Sequence, residues 1–230
     1  MSTPETVAAL VFDMDGLLLD TEPLYKVAWQ KASAELGHDL DDHSYSKLVG
    51  RSSEDCEREL LTQFGSGFEL DRFRGRWPEL WHEQVAARGI QQKPGVLAIL
   101  SYLDDQKIPA AVATSSTAGY AQFSLEHAGL DGRFRVIVTS DEVEHGKPAS
   151  DIYLETARRL GVAPRTCIAL EDSEAGALAA HRAGMCVLLI PDGARPSEAG
   201  AELALRVCDD LDDARYIVAG LIARGASNAV

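Results

Sequence analysis

The chain has 230 residues, of which 22 are Lys or Arg and 36 are Asp or Glu, so its formal net charge is −14. With 46% hydrophobic and 25% charged residues, the composition is that of a soluble globular protein and argues against disorder, collagen-like repeats and coiled coil. The acidic balance argues against a nucleic-acid-binding surface, because binding the phosphate backbone requires clustered Lys and Arg. A small anionic ligand is compatible with it where local cations and a metal offset the charge.

The first residues show no targeting or membrane-spanning pattern. No Lys or Arg precedes Lys26, and the apolar run at residues 7–12 is followed by Asp13 and Asp15. This fits neither a signal peptide nor a membrane span. The four cysteines lie far apart without the spacing of a zinc site, which predicts buried, reduced thiols. We expect a cytoplasmic, monomeric protein that binds neither membranes nor nucleic acid.

Short apolar runs and helical patterns alternate from about residue 95 onward. Short runs of consecutive apolar residues, without polar residues between them, are typical of strands that are covered on both faces, as in a parallel sheet. They lie at residues 7–12, 109–113, 136–138, 167–170 and 185–190. Helical patterns lie at residues 96–103, 118–127, 152–160 and 174–182, and a glycine that commonly ends a helix follows each of the last three. The alternation predicts an α/β fold with a doubly wound, mainly parallel, Rossmann-like sheet.

Residues 23–92 differ from the rest, because they have helical periodicity and no strand pattern. The helical patterns cover residues 24–36, 55–64 and 73–87, with glycine breaks between them. We interpret this segment as a helical insertion after the first strand. The predicted domains are an α/β core of residues 1–21 and 93–230 and a small α-helical cap of residues 22–92.

Two aspartates, Asp13 and Asp15, follow the first apolar run. Open α/β sheets bind ligands at the carboxyl ends of their strands, so both carboxylates should emerge at that edge. Neighbouring carboxylates repel, which raises one pKa and leaves the other group ionised, and this suits one nucleophile and one proton donor. The alternative is a solvated turn at the strand end, which Gly16 would also allow.

Polar residues suited to anions follow two later strands. Thr114 and Ser115 lie between an apolar run and a helix, where hydroxyls and unpaired N–H groups can bind an anion. Lys147 lies just before a helix N-terminus, where the helix dipole disfavours a cation unless an anion lies between them. Ordinary helix capping and an exposed loop lysine are the alternatives.

A second acidic pair, Glu171 and Asp172, ends the run at residues 167–170. Two adjacent acids at a buried strand end are costly unless they bind a metal or face solvent. Carboxylate oxygens fit Mg²⁺, which keeps several waters and bridges to phosphate, whereas capping of the next helix is the alternative. In the predicted sheet, all four of these polar strand ends meet at one edge.

These residues resemble, in order and spacing over nearly the whole chain, the motifs of the haloacid dehalogenase (HAD) superfamily of phosphohydrolases. The resemblance is greater to the branch that contains β-phosphoglucomutase and sugar-phosphate phosphatases. The matching stretches are FDMDGLLLDTEP at residues 12–23, ATSS at 113–116, GKPASDIY at 146–153 and LEDSEAG at 170–176. The helical insertion is similar to the family's small α-helical cap. The resemblance implies a Mg²⁺-dependent enzyme that acts on small phosphorylated molecules, most of all sugar phosphates.

The resemblance also implies roles for the acidic residues. Asp13 would attack phosphorus and become an aspartyl-phosphate, and Asp15 would protonate the leaving alkoxide and then deprotonate water. Mg²⁺ would bind Asp13, the backbone carbonyl of Asp15 and Asp172, with Glu171 as a further ligand or close beside the ion. These roles suit phosphoryl transfer, which depends on positioning and on neutralising spread negative charge.

The implied phosphate-binding residues are Thr114, Ser115 and Lys147, and the implied substrate residues lie in the cap. There, Glu22, Tyr25, Arg51 and Arg76 are the candidates for substrate contacts, since Arg can grip a second phosphate or a carboxylate. Surface salt bridges are the alternative explanation for the cap arginines.

Sister activities of the superfamily are distinguished by single residues. Dehalogenases lack the second acid of the first motif and phosphonate hydrolases usually replace it, so Asp15 argues against both. Mutases resembling this chain tend to carry a His where this sequence has Tyr25, which favours a phosphatase over a hexose-phosphate mutase of the β-phosphoglucomutase type. A non-enzymatic binding protein with the same fold is a third hypothesis, although every residue that the chemistry requires is present.

Overall fold

The structure is a computed structural model that describes residues 3–49, 53–193 and 195–228. The chain forms two compact units, one containing residues up to Asp20 and from Ile90 onward, and the other spanning Thr21–Gly89. We call them the α/β unit and the helical unit. The assignment of residues 22–92 as a cap domain stays a prediction.

Eight strands lie in the described part of the chain. They are β1 (Ala9–Phe12), β2 (Leu19–Asp20), β3 (Gln91–Gln92), β4 (Ala110–Ala113), β5 (Val136–Val138), β6 (Cys167–Glu171), β7 (Cys186–Leu189) and β8 (Arg206–Val207). Six of them form a parallel sheet in the order β5-β4-β1-β6-β7-β8, while β2 and β3 form an antiparallel two-stranded sheet. The predicted α/β fold with a parallel sheet is confirmed.

The α-helices of the described residues number ten, with two short 3₁₀ turns at Ser140–Glu142 and Pro164–Thr166. They are α1 (Glu22–Glu35), α2 (Asp42–Ser46), α3 (Ser53–Phe64), α4 (Leu70–Arg88), α5 (Val96–Gln106), α6 (Ala118–His127), α7 (Asp151–Leu160), α8 (Glu174–Arg182), α9 (Glu198–Glu202) and α10 (Leu211–Asn228). The first four lie in the helical unit and the other six in the α/β unit.

The central strands of the parallel sheet are covered on both faces. Every residue of β1, β4, β6 and β7 is buried, which explains why these segments, apart from Glu171 at the end of β6, are apolar without alternation. The crossovers of such a sheet are right-handed, so the helices that lead outward from β1 to β5 lie on one face and those that lead from β5 to β7 lie on the other. The helices α7 and α8 accordingly share one apolar cluster with Ala9, Val11 and Ala111.

The direction of the chain across the sheet reverses at β1. After β1 the chain adds β4 and β5 on one side, and it then returns to the other side to add β6, β7 and β8. Ligands of open α/β sheets bind outside the carboxyl ends of the strands at such a switch point. Residues that follow β1 and β6 therefore lie where a ligand is expected.

The helical unit is held together by aromatic side chains of α1 and α4. The ring of Trp29 on α1 lies 5.2 Å from the ring of Phe73 and 5.8 Å from that of Trp77, measured between centroids. Aromatic pairs at these distances favour edge-on and tilted arrangements, as found here. The two helices thus pack through the apolar stripes that the sequence pattern predicted for them.

The structure contains several elements that the sequence-based prediction left out. The prediction that residues 23–92 contain no strand is wrong, since β3 lies at the end of this segment. A strand of two residues is too short to show periodicity in the sequence. The exposed strand β8, the short helix α2 and the long helix α10 were likewise not predicted. The four cysteines are buried and free of disulfides, as expected. Among the described residues, no helix combines the length and the hydrophobicity needed to cross a membrane.

We predict that Gly95 fixes how α10 packs against the start of α5. Gly95 has φ = +88°, and a Cβ there would lie 2.9 Å from the backbone nitrogen of Asp212 and 2.9 Å from Cβ of Leu211. Gly95→Ala should lower the free energy of unfolding by about 2–4 kcal/mol, through left-handed strain of about 1–2 kcal/mol together with overlap with α10. Urea denaturation measures this loss.

Gly161→Ala is the matched control. Gly161 also has a positive φ, +73°, but an added Cβ would meet no atom of the described residues within 4 Å. It should therefore cost only the left-handed strain, about 1–2 kcal/mol. Equal losses in the two variants would contradict the predicted contact with α10.

Candidate active site

Asp13 lies at the switch point of the sheet, because it directly follows β1. The backbone N–H of Asp13 donates to the carbonyl of Leu170 at 3.0 Å, and Phe12 pairs in register with Leu170. The next residues on the two strands, Asp13 and Glu171, therefore lie side by side. Asp13 is 7% exposed and Glu171 is fully buried. Burial of two adjacent carboxylates requires compensating donors.

Lys147 supplies the positive charge between these two carboxylates. Its ammonium group donates to Oδ1 of Asp13 and, at 2.5 Å, to Oε1 of Glu171, and only 6% of its side chain is exposed. Burial alone would lower the pKa of Lys147, but the charges of Asp13 and Glu171 raise it, so the ammonium stays protonated. Lys147 thus holds a fixed positive charge beside Asp13.

Both carboxylate oxygens of Glu171 accept hydrogen bonds. Tyr153, a buried residue of α7, donates its hydroxyl to Oε1 at 2.5 Å, and Ser173 donates its hydroxyl to Oε2 at 3.1 Å. Ser173 also accepts from the backbone N–H of Gly176 and caps α8. The Glu171 carboxylate lies so close to Gly176 that an added Cβ there would overlap it. Glu171 is therefore fixed in a single position.

Asp172 completes a group of three carboxylates that could hold a metal ion. One oxygen from each of Asp13, Glu171 and Asp172 lies within 4.8 Å of the others. Burial raises the pKa of Asp172, and the charges of Asp13 and Glu171 raise it further. Burial also raises the pKa of Asp13, although Lys147 opposes that shift. A divalent cation bound by these oxygens would offset both the cost of burying the carboxylates and the repulsion between them.

Asp15 has different neighbours from those of Asp13. Ser116 donates its hydroxyl to Oδ2 of Asp15 at 2.9 Å, and Tyr120 donates its hydroxyl to Oδ1 at 3.0 Å. Both residues follow β4, the neighbour of β1. The two aspartates of the first motif therefore differ in environment, with an ammonium group on one and hydroxyl groups on the other.

The predicted phosphate-binding hydroxyls lie at the end of β4. Thr114 is buried and its Oγ1 accepts from the backbone N–H of Ser116 at 3.1 Å, while Ser115 is exposed. The backbone N–H of Thr114 donates to the carbonyl of Val138, which fixes the strand end. All core residues singled out from the sequence thus lie at the carboxyl edge of the parallel sheet.

Two of the candidate substrate residues, Arg76 and Tyr25, contact residues of the helical unit. Arg76 forms ion pairs with Glu35 at 2.7 Å and Glu79 at 2.9 Å, which raise the pKa of its guanidinium group. Tyr25 stacks on the ring of Trp81 at 5.8 Å. The salt-bridge explanation of Arg76 is thus present in the structure, and a substrate role for either residue stays a prediction.

Two further candidates complete the set. Glu22 lies near Tyr45, whose pKa is raised by burial and then by the Glu22 carboxylate. Arg51 lies outside the described residues. Their roles also stay predictions.

Sequence reasoning missed the hydroxyl partners of the site. Tyr153 and Tyr120 lie on helices, where an aromatic residue is usually part of the apolar core, and a hydrogen bond from its hydroxyl group leaves no periodic signal. Ser116 and Tyr153 lie within the motifs at residues 113–116 and 146–153, but the motifs do not show which groups their hydroxyls contact. The one available signal was position, since both tyrosines lie in the first turn of a helix that starts at the carboxyl edge of the sheet.

A family profile and sequence comparisons both find similarity to known proteins over most of the chain. The family profile of haloacid dehalogenase-like hydrolases matches residues 10–190. A phosphorylated carbohydrates phosphatase of Thermotoga maritima is 33% identical over 201 residues, which are 84% of this chain and 91% of that protein. A fructose-1-phosphate phosphatase of Escherichia coli is 32% identical over 181 residues, which are 79% of this chain and 95% of that protein.

The fold also matches solved structures. A crystal structure of CbbY from Rhodobacter sphaeroides in complex with phosphate superposes with a TM-score of 0.72 and 26% identity. The match covers 90% of this chain and 95% of that one.

We predict that Gly176 is needed because of its lack of a side chain. Gly176→Ala should lower the free energy of unfolding by about 2 kcal/mol or more, because the added methyl displaces the buried Glu171 carboxylate from its donors. This loss should appear although Ala favours a helix over Gly by about 1 kcal/mol. Thermal or urea denaturation measures it.

Gly220→Ala is the control for helix propensity. Gly220 lies on α10, is exposed, and an added Cβ would meet no described atom within 4 Å. This variant should be as stable as the parent or up to about 1 kcal/mol more stable. If Gly176→Ala behaved like Gly220→Ala, the close packing of Glu171 against α8 would be disproved.

Proposed function

Since the chain belongs to the haloacid dehalogenase-like hydrolase family, we propose that it is a Mg²⁺-dependent phosphatase that hydrolyses small phosphorylated metabolites through an aspartyl-phosphate. Its class is that of a phosphoric monoester hydrolase. Relatives that act on phosphorylated carbohydrates and on fructose 1-phosphate support sugar phosphates as the substrate class. The observation that carries the proposal is the buried contact of Lys147 with Asp13 beside a group of three carboxylates.

The residues fit a bound Mg²⁺ ion in charge and in ligand chemistry. Three carboxylates and one ammonium group leave two negative charges when all are ionised, which is the charge that one divalent cation balances. Mg²⁺ prefers oxygen ligands, and Asp13 and Asp172 would hold it with the backbone carbonyl of Asp15. Glu171 already accepts from Lys147, Tyr153 and Ser173, and would contribute at most as a further ligand. When bound, Mg²⁺ would neutralise charge on the phosphoryl group.

The first step forms the phosphoenzyme. A carboxylate oxygen of Asp13 attacks phosphorus, and the bond between phosphorus and the ester oxygen breaks. Asp15 gives a proton to the leaving alkoxide, so the product leaves as a neutral alcohol. Lys147 orients Asp13 and offsets the negative charge of the transferring group, and the hydroxyls of Thr114 and Ser115 bind its oxygens.

The second step releases phosphate. A water molecule attacks phosphorus while the ionised Asp15 takes its proton, and the bond between Asp13 and phosphorus breaks. Asp13 returns as a carboxylate, and the proton on Asp15 is available for the next substrate. Asp15 thus acts as acid in one step and as base in the other.

A phosphatase and a mutase differ in the molecule that accepts the phosphoryl group from Asp13. A hexose-phosphate mutase would pass the phosphoryl group from Asp13 to a sugar hydroxyl instead of water. Tyr25, in place of the His of similar mutases, supports hydrolysis. We further propose that the helical unit selects the substrate, with Glu22, Tyr25, Arg51 and Arg76 as the residues to test. The monomeric state and the cytoplasmic location stay predictions.

We predict metal-dependent phosphate release from a panel of sugar phosphates and short-acid phosphates. With Mg²⁺ the protein should release phosphate from at least one of them, EDTA should abolish the release, and added Mg²⁺ should restore it, because the carboxylates repel the anionic substrate without a cation. A malachite-green assay measures phosphate. No release from any member would contradict the phosphatase. Conversion of glucose 1-phosphate to glucose 6-phosphate faster than phosphate release, primed by the bisphosphate, would instead support the mutase.

We predict that Asp13→Asn abolishes turnover without unfolding the protein. An amide is a poor nucleophile, so kcat should fall by at least about a thousandfold, whereas the Lys147–Glu171 ion pair stays in place. Asp131→Asn, a change of the same kind at an exposed position, should leave kcat unchanged. Acid quenching during turnover should trap phosphoenzyme in the parent and none in Asp13→Asn. Retained activity would refute Asp13 as the nucleophile.

A further inference from the structure

The Asp15 carboxylate is held by two hydroxyl groups from two different segments. Ser116 lies in the loop after β4 and bonds to Oδ2, whereas Tyr120 lies in the first turn of α6 and bonds to Oδ1. A hydrogen bond to one oxygen does not by itself fix the rotation of a carboxylate about its Cβ–Cγ bond. A second donor on the other oxygen fixes the plane of the group.

The segment that carries both donors is itself tied to the loop after β5. The backbone N–H of Ala118, the first residue of α6, donates to the carboxylate of Asp141 at 3.1 Å, and the N–H of Ser140 donates to the carbonyl of Ser116 at 3.0 Å. Asp141 also accepts from the hydroxyl of Thr139 at 2.6 Å. The start of α6 is thus fixed relative to the sheet edge, and the rigid ring of Tyr120 carries that fixed position to Asp15.

We propose that Tyr120 is a positioning residue that orients Asp15 for proton transfer to the leaving group. This inference rests on the proposed function, in which Asp15 is the acid of the first step. A general acid works only when its oxygen is held within hydrogen-bond reach of the atom that it protonates. The Tyr120 hydroxyl donates to Oδ1 of Asp15, so its effect on the reaction is transmitted through that carboxylate.

The leaving group decides how much this positioning matters. An alkyl phosphate releases a strongly basic alkoxide, which needs the proton from Asp15 as the bond to phosphorus breaks. Acetyl phosphate and p-nitrophenyl phosphate release stable anions, which leave without a proton. The value of kcat/KM reports the steps up to phosphoenzyme formation, so it isolates the step in which Asp15 acts as an acid.

The test compares Tyr120→Phe with the parent on both kinds of substrate. Removing a hydroxyl that bonds to a carboxylate should lower kcat/KM by about 10- to 100-fold for the alkyl phosphate that the parent hydrolyses fastest. For acetyl phosphate and p-nitrophenyl phosphate, the loss should stay within about threefold. Asp15→Asn should show the same selectivity with a larger loss on alkyl phosphates, up to about 10⁴-fold. The matched control is Tyr216→Phe on α10, where the side chain is 69% exposed, and it should change neither value.

A double variant tests whether Tyr120 acts through Asp15. Tyr120→Phe added to Asp15→Asn should cause no further loss of kcat/KM on p-nitrophenyl phosphate or on the alkyl phosphate, since residues that act as a unit are not additive. Thermal denaturation checks that each variant is folded at the assay temperature. The double variant keeps the test decisive if the single change also alters stability, because an independent structural defect would add to that of Asp15→Asn.

The outcomes separate this inference from the proposed function. An equal fall on alkyl and acyl phosphates, or no change on either, would overturn the role of Tyr120 while leaving the phosphatase intact. A parent protein that hydrolyses no phosphate ester with Mg²⁺ would overturn the proposed function itself. Selectivity in Asp15→Asn without selectivity in Tyr120→Phe would keep Asp15 as the acid and overturn the role of Tyr120 in orienting it.

Discussion

The buried ion pair between Lys147 and two carboxylates is the constraint on which the rest of the site depends. A buried charge is costly unless it is paired and fully hydrogen-bonded, and here the ammonium group contacts Asp13 and Glu171 from a side chain that is almost completely buried. Tyr153 and Ser173 supply the remaining donors to Glu171. The network fixes a positive charge beside Asp13, and an anionic nucleophile that must approach an anionic ester needs such a charge.

The parallel sheet offsets the cost of burying these charges. Asp13 follows β1 and Glu171 ends β6, and the other residues of these two strands are buried and apolar, so burial holds the strands in place independently of the site. The reversal of direction at β1 brings the ends of β1, β4 and β6 next to one another. Residues more than a hundred positions apart can therefore meet without a long disordered connection, and the position of Gly176 lets α8 start directly against Glu171.

The sequence predicted most of the α/β unit because its signals are local. Continuous apolar runs, helical periodicity and glycines past the helix ends placed the central strands and helices within a few residues. Two of the elements that were missed carry no such signal, because β3 has two polar residues and β8 is short and exposed. Nor could local patterns show that Arg76 pairs with Glu35, because 41 positions separate them.

For the site, the sequence could place the charged residues but not their neutral partners. Acids and a lysine at strand ends are conspicuous, since burying them requires a reason, and that reasoning led to Asp13, Lys147, Glu171 and Asp172. A tyrosine on an amphipathic helix is not conspicuous, because burial of its ring is sufficient explanation. Only the three-dimensional structure shows where its hydroxyl group points.

The neutral partners matter because they distinguish two aspartates that are otherwise alike. Burial raises the pKa of Asp13, and the ammonium group that Asp13 faces opposes this rise and so favours the ionised form that a nucleophile requires. Asp15 faces two hydroxyls, and a hydroxyl can donate to a carboxylate or accept from a carboxylic acid by rotating its hydrogen. Such partners stabilise both protonation states, as a group that acts alternately as acid and base requires. The division of labour between residues two positions apart thus follows from the kind of donor that the fold brings to each.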